Sequence, residues 1–185
     1  PLLVRTDVSE IKDFVKYINV DVLKKKQGVD PFAGTRTIPT FFRTELGIAL
    51  ASNDVNKMFP CNFHLDGLNP DSYTKNNLGR FDFAVTSIPF AFADIAVPLL
   101  ASQFEAVFIH CPSWYCFQGS RFRHSWLKDL AHSRRAVCLH VCEKRNSEFG
   151  RYAVWLCIFQ SRDLTHKYLK DSNRLFERSL PVIFG

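Results

Sequence analysis

Hydrophobic positions along the chain fall into runs whose period switches between that of a helix and that of a strand. Near the start, Ile11, Phe14, Val15 and Ile18 share one face at helical spacing, with Asp7 or Ser9 placed to cap it. Residues 1–27 therefore read as a helical lead-in, and Lys24-Lys25-Lys26 reads as a solvated turn. Val29-Asp30 then runs into a small-residue turn around Gly34. A short helix over 38–46 turns Ile38, Phe41, Phe42 and Leu46 inward, and Gly47 ends it. Ile48 to Asp54 predicts a buried strand finishing in an acid. Residues 55–62 form a link, Phe63 to Gly67 a brief apolar piece containing Asp66, and Leu68 to Arg80 a polar loop. Phe81 to Thr86 is the next strand, Phe92 to Gln103 a helix that Pro98 kinks or divides, and Ala106 to Cys111 a strand stopped by Pro112. Arg121 to Ser133 reads as an amphipathic helix with Phe122, Trp126, Leu127 and Leu130 inward. Ala136 to Cys142 and Tyr152 to Gln160 predict an antiparallel hairpin, and the charged tail from Asp163 a loosely packed helix.

Strands alternating with helices, closed by a hairpin, imply an α/β fold with a mostly parallel sheet and helices on both faces. At 185 residues, 46% of them hydrophobic and 18 of them Phe, the chain has the material for one domain with an aromatic core. Its parts are the lead-in 1–27, a core over 28–160 and a tail over 161–185. The apolar stretch Ala84 to Ala101 is interrupted by Pro89, Asp94 and Pro98, which excludes a membrane span there. No signal peptide is visible, so the expected location is cytoplasmic or nuclear. The chain opens on Pro1, which leaves room for a further domain in a longer protein.

Net charge changes the picture only mildly: +6 fits a polyanionic partner. The six cysteines form no CxxC pair and sit mostly in apolar runs, where reduced buried thiols are the expectation. His110, Cys111 and Cys116 are the one combination that offers zinc ligands, and they lack a second pair.

The candidate chemistry lies at the predicted carboxyl ends of strands, where open α/β sheets hold their ligands. Asp30 and Gly34 fall at one such end, Asp54 and Asp66 at others, and Ser87 to Phe90 at a third. A glycine turn entering a helix permits close backbone approach and presents free N–H groups. An acid about twenty residues further on suits the two hydroxyls of a ribose, and Asp54 fits, with Asn53 behind it. A cap on the next turn explains Asp54 equally well. Asp66 can accept from an adenine amine or simply form an Asp-Gly turn. In Ser87-Ile88-Pro89-Phe90, the Ser87 hydroxyl and the Ile88 carbonyl are acceptors able to orient an exocyclic amine, and Phe90 is a ring on which a base can stack. A strand ending in a proline turn with a core Phe is the plainer explanation of the same residues.

Val29 to Ile38 resembles the cofactor motif of S-adenosylmethionine-dependent amino-methyltransferases, whose usual form is Asp-Pro-Phe-Ala-Gly-Thr-Gly-Thr, in the DNA adenine-N6 and cytosine-N4 type. Asp82 to Phe90 is similar to their catalytic motif, an acidic, amide or Ser residue followed by Pro-Pro and an aromatic. The resemblance covers roughly residues 28–160. It implies a Rossmann-like sheet of seven strands. It further implies that Asp30, Phe32, Ala33, Gly34, Thr35, Arg36, Asp54 and Asp66 hold S-adenosylmethionine. Ser87, Ile88, Pro89 and Phe90 would then present a flipped base for methylation. Trp114, Tyr115, Arg121 and Arg123 would be nucleic-acid contacts, DNA ahead of RNA, or else an aromatic rim with solvated charges. Two residues depart from the motifs. Arg36 replaces the second glycine, where it would fill the pocket or pair with the cofactor carboxylate, and where φ > 0 costs about 1–2 kcal/mol. Ile88 replaces the first proline and removes its stiffness. The expectation is thus a nucleic-acid methyltransferase, with a catalytically silent relative kept as a nucleic-acid- or protein-binding module, as in half of a heterodimer, held as the alternative. A dehydrogenase-type dinucleotide fold is disfavoured by the missing G-x-G-x-x-G.

Overall fold

A computed structural model describes residues 6–112, 136–146 and 151–170. The expected helix over 121–133, Cys116, Trp114, Tyr115, Arg121, Arg123 and residues 171–185 lie outside the described residues, as does the side chain of Phe90. The chain opens with α1 (Val8–Val15), capped by the Asp7 carboxylate on the Ser9 N–H, and α2 (Val20–Lys24). Then come β1 (Gly28–Asp30), α3 (Thr37–Phe41), β2 (Ala51–Ser52), β3 (Phe83–Ser87), α4 (Ala93–Gln103) and β4 (Ala106–Pro112). The hairpin strands are β5 (Ala136–Asn146) and β6 (Arg151–Phe159), and α5 (Arg162–Tyr168) follows.

The described strands form one six-stranded sheet in the order β2-β1-β3-β4-β6-β5, where the resemblance implied seven. The pairs β1–β2, β1–β3 and β3–β4 are parallel, and β6 runs antiparallel to both β4 and β5. Because β2 lies on one side of β1 and β3 on the other, the strand order reverses at β1. A crevice opens at the carboxyl edge of such a switch point.

Alternation along the central strands divides the core into two layers. Phe83, Val85, Ala106, Phe108, Trp155, Cys157 and Phe159 face α1, α2, α3 and α5. Ala84, Val107, Ile109, Leu156 and Ile158 face α4 and the turns at 70–80. Phe14 stacks on Trp155 with ring centroids 4.5 Å apart, which pins α1 to the sheet.

Several elements differ from expectation, each for an identifiable physical reason. The helix over 38–46 becomes a π-helical turn at Phe42–Leu46, where the Thr44 hydroxyl takes the Thr40 carbonyl at 3.0 Å. Gly47 still ends it, with φ 66°. The strand over 48–54 shrinks to two residues because β1, its only ladder partner among the described residues, offers just Val29 and Asp30. The polar loop over 68–80 contains two 3₁₀ turns that bury Tyr73 and Leu78. Pro98 lies inside α4 and does not divide it. The tail is not loose through Leu169: Tyr168 is fully buried and donates to the Glu105 carboxylate, and the Asn19 N–H reaches the Tyr168 carbonyl at 2.8 Å. β5 extends past Cys142 to Asn146, across a register shift between Val141 and Arg145.

Close approach at β1 makes a specific demand. A Cβ on Gly28 would stand 2.3 Å from the Phe83 ring and 2.7 Å from Leu50. Gly28→Ala is therefore expected to cost about 1–3 kcal/mol through overpacking, read as a lower denaturant midpoint with unchanged slope.

Candidate cofactor and catalytic site

Asn53, at the end of β2, is fully buried and assembles the crevice through its side chain. Its amide nitrogen donates to the carbonyls of Pro31 at 2.9 Å and Leu65 at 3.0 Å, and its amide oxygen accepts from the Leu65 N–H at 2.9 Å. The Asn53 backbone adds bonds to the Asp30 carbonyl and the Ala33 N–H, both at 2.9 Å. One residue thereby fastens the turn after β1 to the segment at 63–67. The sequence ranks Asn53 below Asp54 as a ribose ligand, and the one local signal for its role is its place just past the apolar run Ile48 to Ala51.

The crevice is a cavity of about 460 Å³ at the carboxyl edge of β1, β2 and β3. Asp30, Phe32, Ala33, Gly34, Thr35, Asp54, Asp66, Ser87, Ile88 and Pro89 all line it, so both sequence motifs converge on one space. Arg36 is not among the lining residues. It sits in the left-handed region at φ 62°, the conformation the family's glycine would take freely, and its side chain does not fill the pocket. Ile88 is buried among Ala93, Ala96 and Val97 of α4, so packing supplies part of the restraint that proline would have given.

Each acid is already fastened to backbone. Asp54 accepts from the Gly34 N–H and the Asn56 N–H, both at 2.9 Å, so it holds the glycine turn and caps the next one at once. Asp66 is exposed and accepts from the Leu68 N–H at 3.0 Å, forming the Asp-Gly turn. Asp30 is 1% exposed and accepts from the Thr86 hydroxyl at 2.6 Å and the Phe32 N–H at 3.1 Å. Burial pushes its carboxyl up to about 7, against the pull of those two donors, and the neighbouring Asp54 charge adds to the rise.

This donor set fits S-adenosylmethionine. The described lining has three carboxyl side chains, no lysine or arginine, and aromatic faces at Phe32, Phe59 and Phe92. Carboxylates without nearby cations favour a ligand carrying a sulfonium and an ammonium, and the rings suit a planar base.

Ser87, at the end of β3, lines the cavity and is half-buried. Its hydroxyl lies 3.2 Å from His110 Nδ1, on the residue directly opposite in the β3–β4 register. His110 Nε2 in turn meets the Glu10 carboxylate of α1, and that pair is buried. Neither His110 nor Glu10 was singled out as a partner of Ser87 from sequence, because they come from elements far apart in the chain. Among the described residues no cluster of metal-ligating side chains forms, and Cys61, Cys111, Cys142 and Cys157 are free thiols.

The same fold occurs in methyltransferases. An rRNA methylase from Streptococcus thermophilus superposes with a TM-score of 0.54 at 12% identity, over 87% of this chain and 100% of that one. The EcoKI M protein of a type I restriction enzyme gives 0.54 at 11% identity, over 76% of this chain and 41% of its own. The type IIG restriction endonuclease BpuSI gives 0.54 at 10% identity, over 86% of this chain and 25% of its own. Identities this low establish the fold: a Rossmann-like methyltransferase sheet, mostly parallel, with a closing antiparallel pair. No protein-family model matches the sequence, and no curated protein is similar to it.

Two outcomes follow from the site's chemistry. Asn53→Ala, which strands buried carbonyls of Pro31 and Leu65, is expected to cost about 3 kcal/mol or more of stability by urea unfolding. Asp30 holds its proton in the folded state to about pH 7 and releases it near pH 4 when unfolded. The folded state therefore binds more protons between those values, and this group's contribution to stability falls as pH rises from 4 to 7. Asp30→Asn should remove that slope, so the variant's stability relative to wild type rises over the same interval by on the order of 4 kcal/mol.

Proposed function

We propose that this protein is an S-adenosylmethionine-dependent methyltransferase acting on the exocyclic amine of a nucleic-acid base, with DNA ahead of RNA. The observation that carries the reading is the convergence of Asp30 to Thr35 and Ser87 to Pro89 on one cavity with an acidic, aromatic lining. When bound, S-adenosylmethionine supplies an electrophilic methyl group. The backbone at Phe32 to Thr35 lies against the ligand, Asp54 takes the ribose hydroxyls, and Asp66 accepts from the adenine amine. Asp54 can do so while holding the Gly34 N–H, since each carboxylate oxygen has a second lone pair. Ser87 Oγ and the Ile88 carbonyl accept from the substrate amine and aim its lone pair, with Phe90 stacking on the flipped base. Base recognition beyond this pocket falls to Trp114, Tyr115, Arg121 and Arg123, or to a partner protein or further domain. The rRNA methylase and the EcoKI M protein share the fold and act on RNA and within a restriction system respectively, and this range is compatible with a nucleic-acid substrate.

Calorimetric titration of S-adenosylmethionine tests the cofactor half of the reading. Wild type is expected to bind in the micromolar range, and Asp54→Ala to lose about tenfold or more. Arg36→Gly is expected to leave affinity within about threefold, because the side chain stands outside the cavity, while raising stability by about 1 kcal/mol through relief of the left-handed conformation. Transfer of labelled methyl groups to DNA and RNA oligonucleotides then identifies the substrate. Binding without transfer to either would favour the silent binding module, and no binding by wild type with binding by Arg36→Gly would assign the pocket's closure to that one side chain.

A further inference from the structure

The cavity wall holds a hydrogen-bonded chain that no cofactor or base contact requires. Ser87 Oγ, His110 and Glu10 come from β3, β4 and α1, and only the first reaches the cavity. His110 is completely buried, and Glu10 is 3% exposed. Burying an imidazole and a carboxylate is costly unless they pair, and here they pair with each other. Glu10 is held on its aim from behind: the Trp155 indole donates to the Glu10 carbonyl at 3.2 Å, and Phe14, one turn on, stacks on the same indole. Packing alone would be served as well by an apolar residue at position 110, as at Phe108 two residues before on the same face.

From this arrangement we infer that Ser87, His110 and Glu10 form a proton relay that removes the proton lost by the substrate amine during methyl transfer. The inference rests on the methyltransferase reading above. Its polarity is part of the inference. The relay takes the neutral imidazole in which Nε2–H donates to Glu10 and Nδ1 accepts the Ser87 hydroxyl proton, at the contacts seen here. A lone pair of Ser87 Oγ is then turned toward the cavity, ready to accept from an amine N–H. As the amine lone pair forms the new N–C bond, the S–C bond of the sulfonium donor breaks and its electron pair stays on sulfur. The amine N–H bond breaks as well. Its proton passes to Ser87 Oγ while the Ser87 proton passes to His110 Nδ1, and the resulting imidazolium is paired with the Glu10 carboxylate. One positive charge leaves the sulfonium and one appears on His110, so charge balances, and the proton returns to solvent after product departs. Ser87 is the group that touches substrate, and His110 and Glu10 are positioning residues that act through it.

The test combines a spectroscopic and a kinetic readout on the full chain. Nitrogen-15 NMR of the imidazoles should show His110 at neutral pH as the Nε2–H tautomer, and Ser87→Ala should move its Nδ1 resonance while leaving Nε2 in place. A protonated Nδ1 at rest would overturn the relay, because it could then accept nothing. Glu10→Gln keeps size and hydrogen bonding, and His110→Gln removes the base. Each should leave S-adenosylmethionine affinity within about threefold and KM for the oligonucleotide unchanged, while kcat falls about 10²-fold. If His110→Gln unfolds, Glu10→Gln carries the kinetic arm. Undiminished kcat in a folded variant would overturn the relay alone. No cofactor binding or no methyl transfer by wild type would overturn the methyltransferase reading and the relay's task with it.

Discussion

The buried side chain of Asn53 is the constraint on which the crevice depends. A strand only three residues long, β1, cannot position a ligand-binding turn through its ladder alone. The amide of Asn53 supplies what the ladder lacks, tying the Pro31 and Leu65 backbones together from a site with no access to water. In such an environment an unmade hydrogen bond costs more than a made one contributes, so the amide acts as a specification of geometry more than as a store of stability. Once those backbones are fixed, Asp54 closes on the Gly34 N–H and the turn has its shape.

Electrostatics then sets the character of the cavity. Among the described residues no cation pairs with buried Asp30, and the Thr86 hydroxyl and the Phe32 N–H work against its desolvation. That leaves a carboxyl whose charge is easily changed beside one, Asp54, that is held by two amides. A cationic ligand entering this space would favour the ionised form of Asp30, which couples ligand binding to proton release. A second buried ionisable array, His110 with Glu10, lies behind Ser87, the point where it meets the cavity. Two polar systems therefore meet one pocket, the second of them set within the otherwise apolar layer between the sheet and α1.

Much of the fold was legible because its signals are local. The buried face of α1, the existence of α4, the strands β3 and β4, the hairpin, and the stop at Gly47 follow from periodicity and turn chemistry over windows of a few residues. Short pieces were less legible. β2 depends on how far β1 runs beside it, and the buried turns at Tyr73 and Leu78 depend on an apolar layer provided by α4 and β4. The charged composition after Asp163 concealed Tyr168, whose burial needs the whole aromatic cluster around Phe83 and Phe108. Arg36 shows the opposite case. Its left-handed backbone follows from the glycine it replaces, but its absence from the cavity lining does not.

By itself the sequence determined the elements, their α/β alternation and the identity of the residues at strand ends, since each is encoded in short-range spacing and residue type. Only the tertiary structure decided that β1 separates β2 from β3, so that the two motifs, about fifty residues apart, share one cavity. It alone brought Glu10 to His110 across a hundred residues. Such pairings are set by which faces must be buried together, and burial is a property of the packed chain that no local window contains.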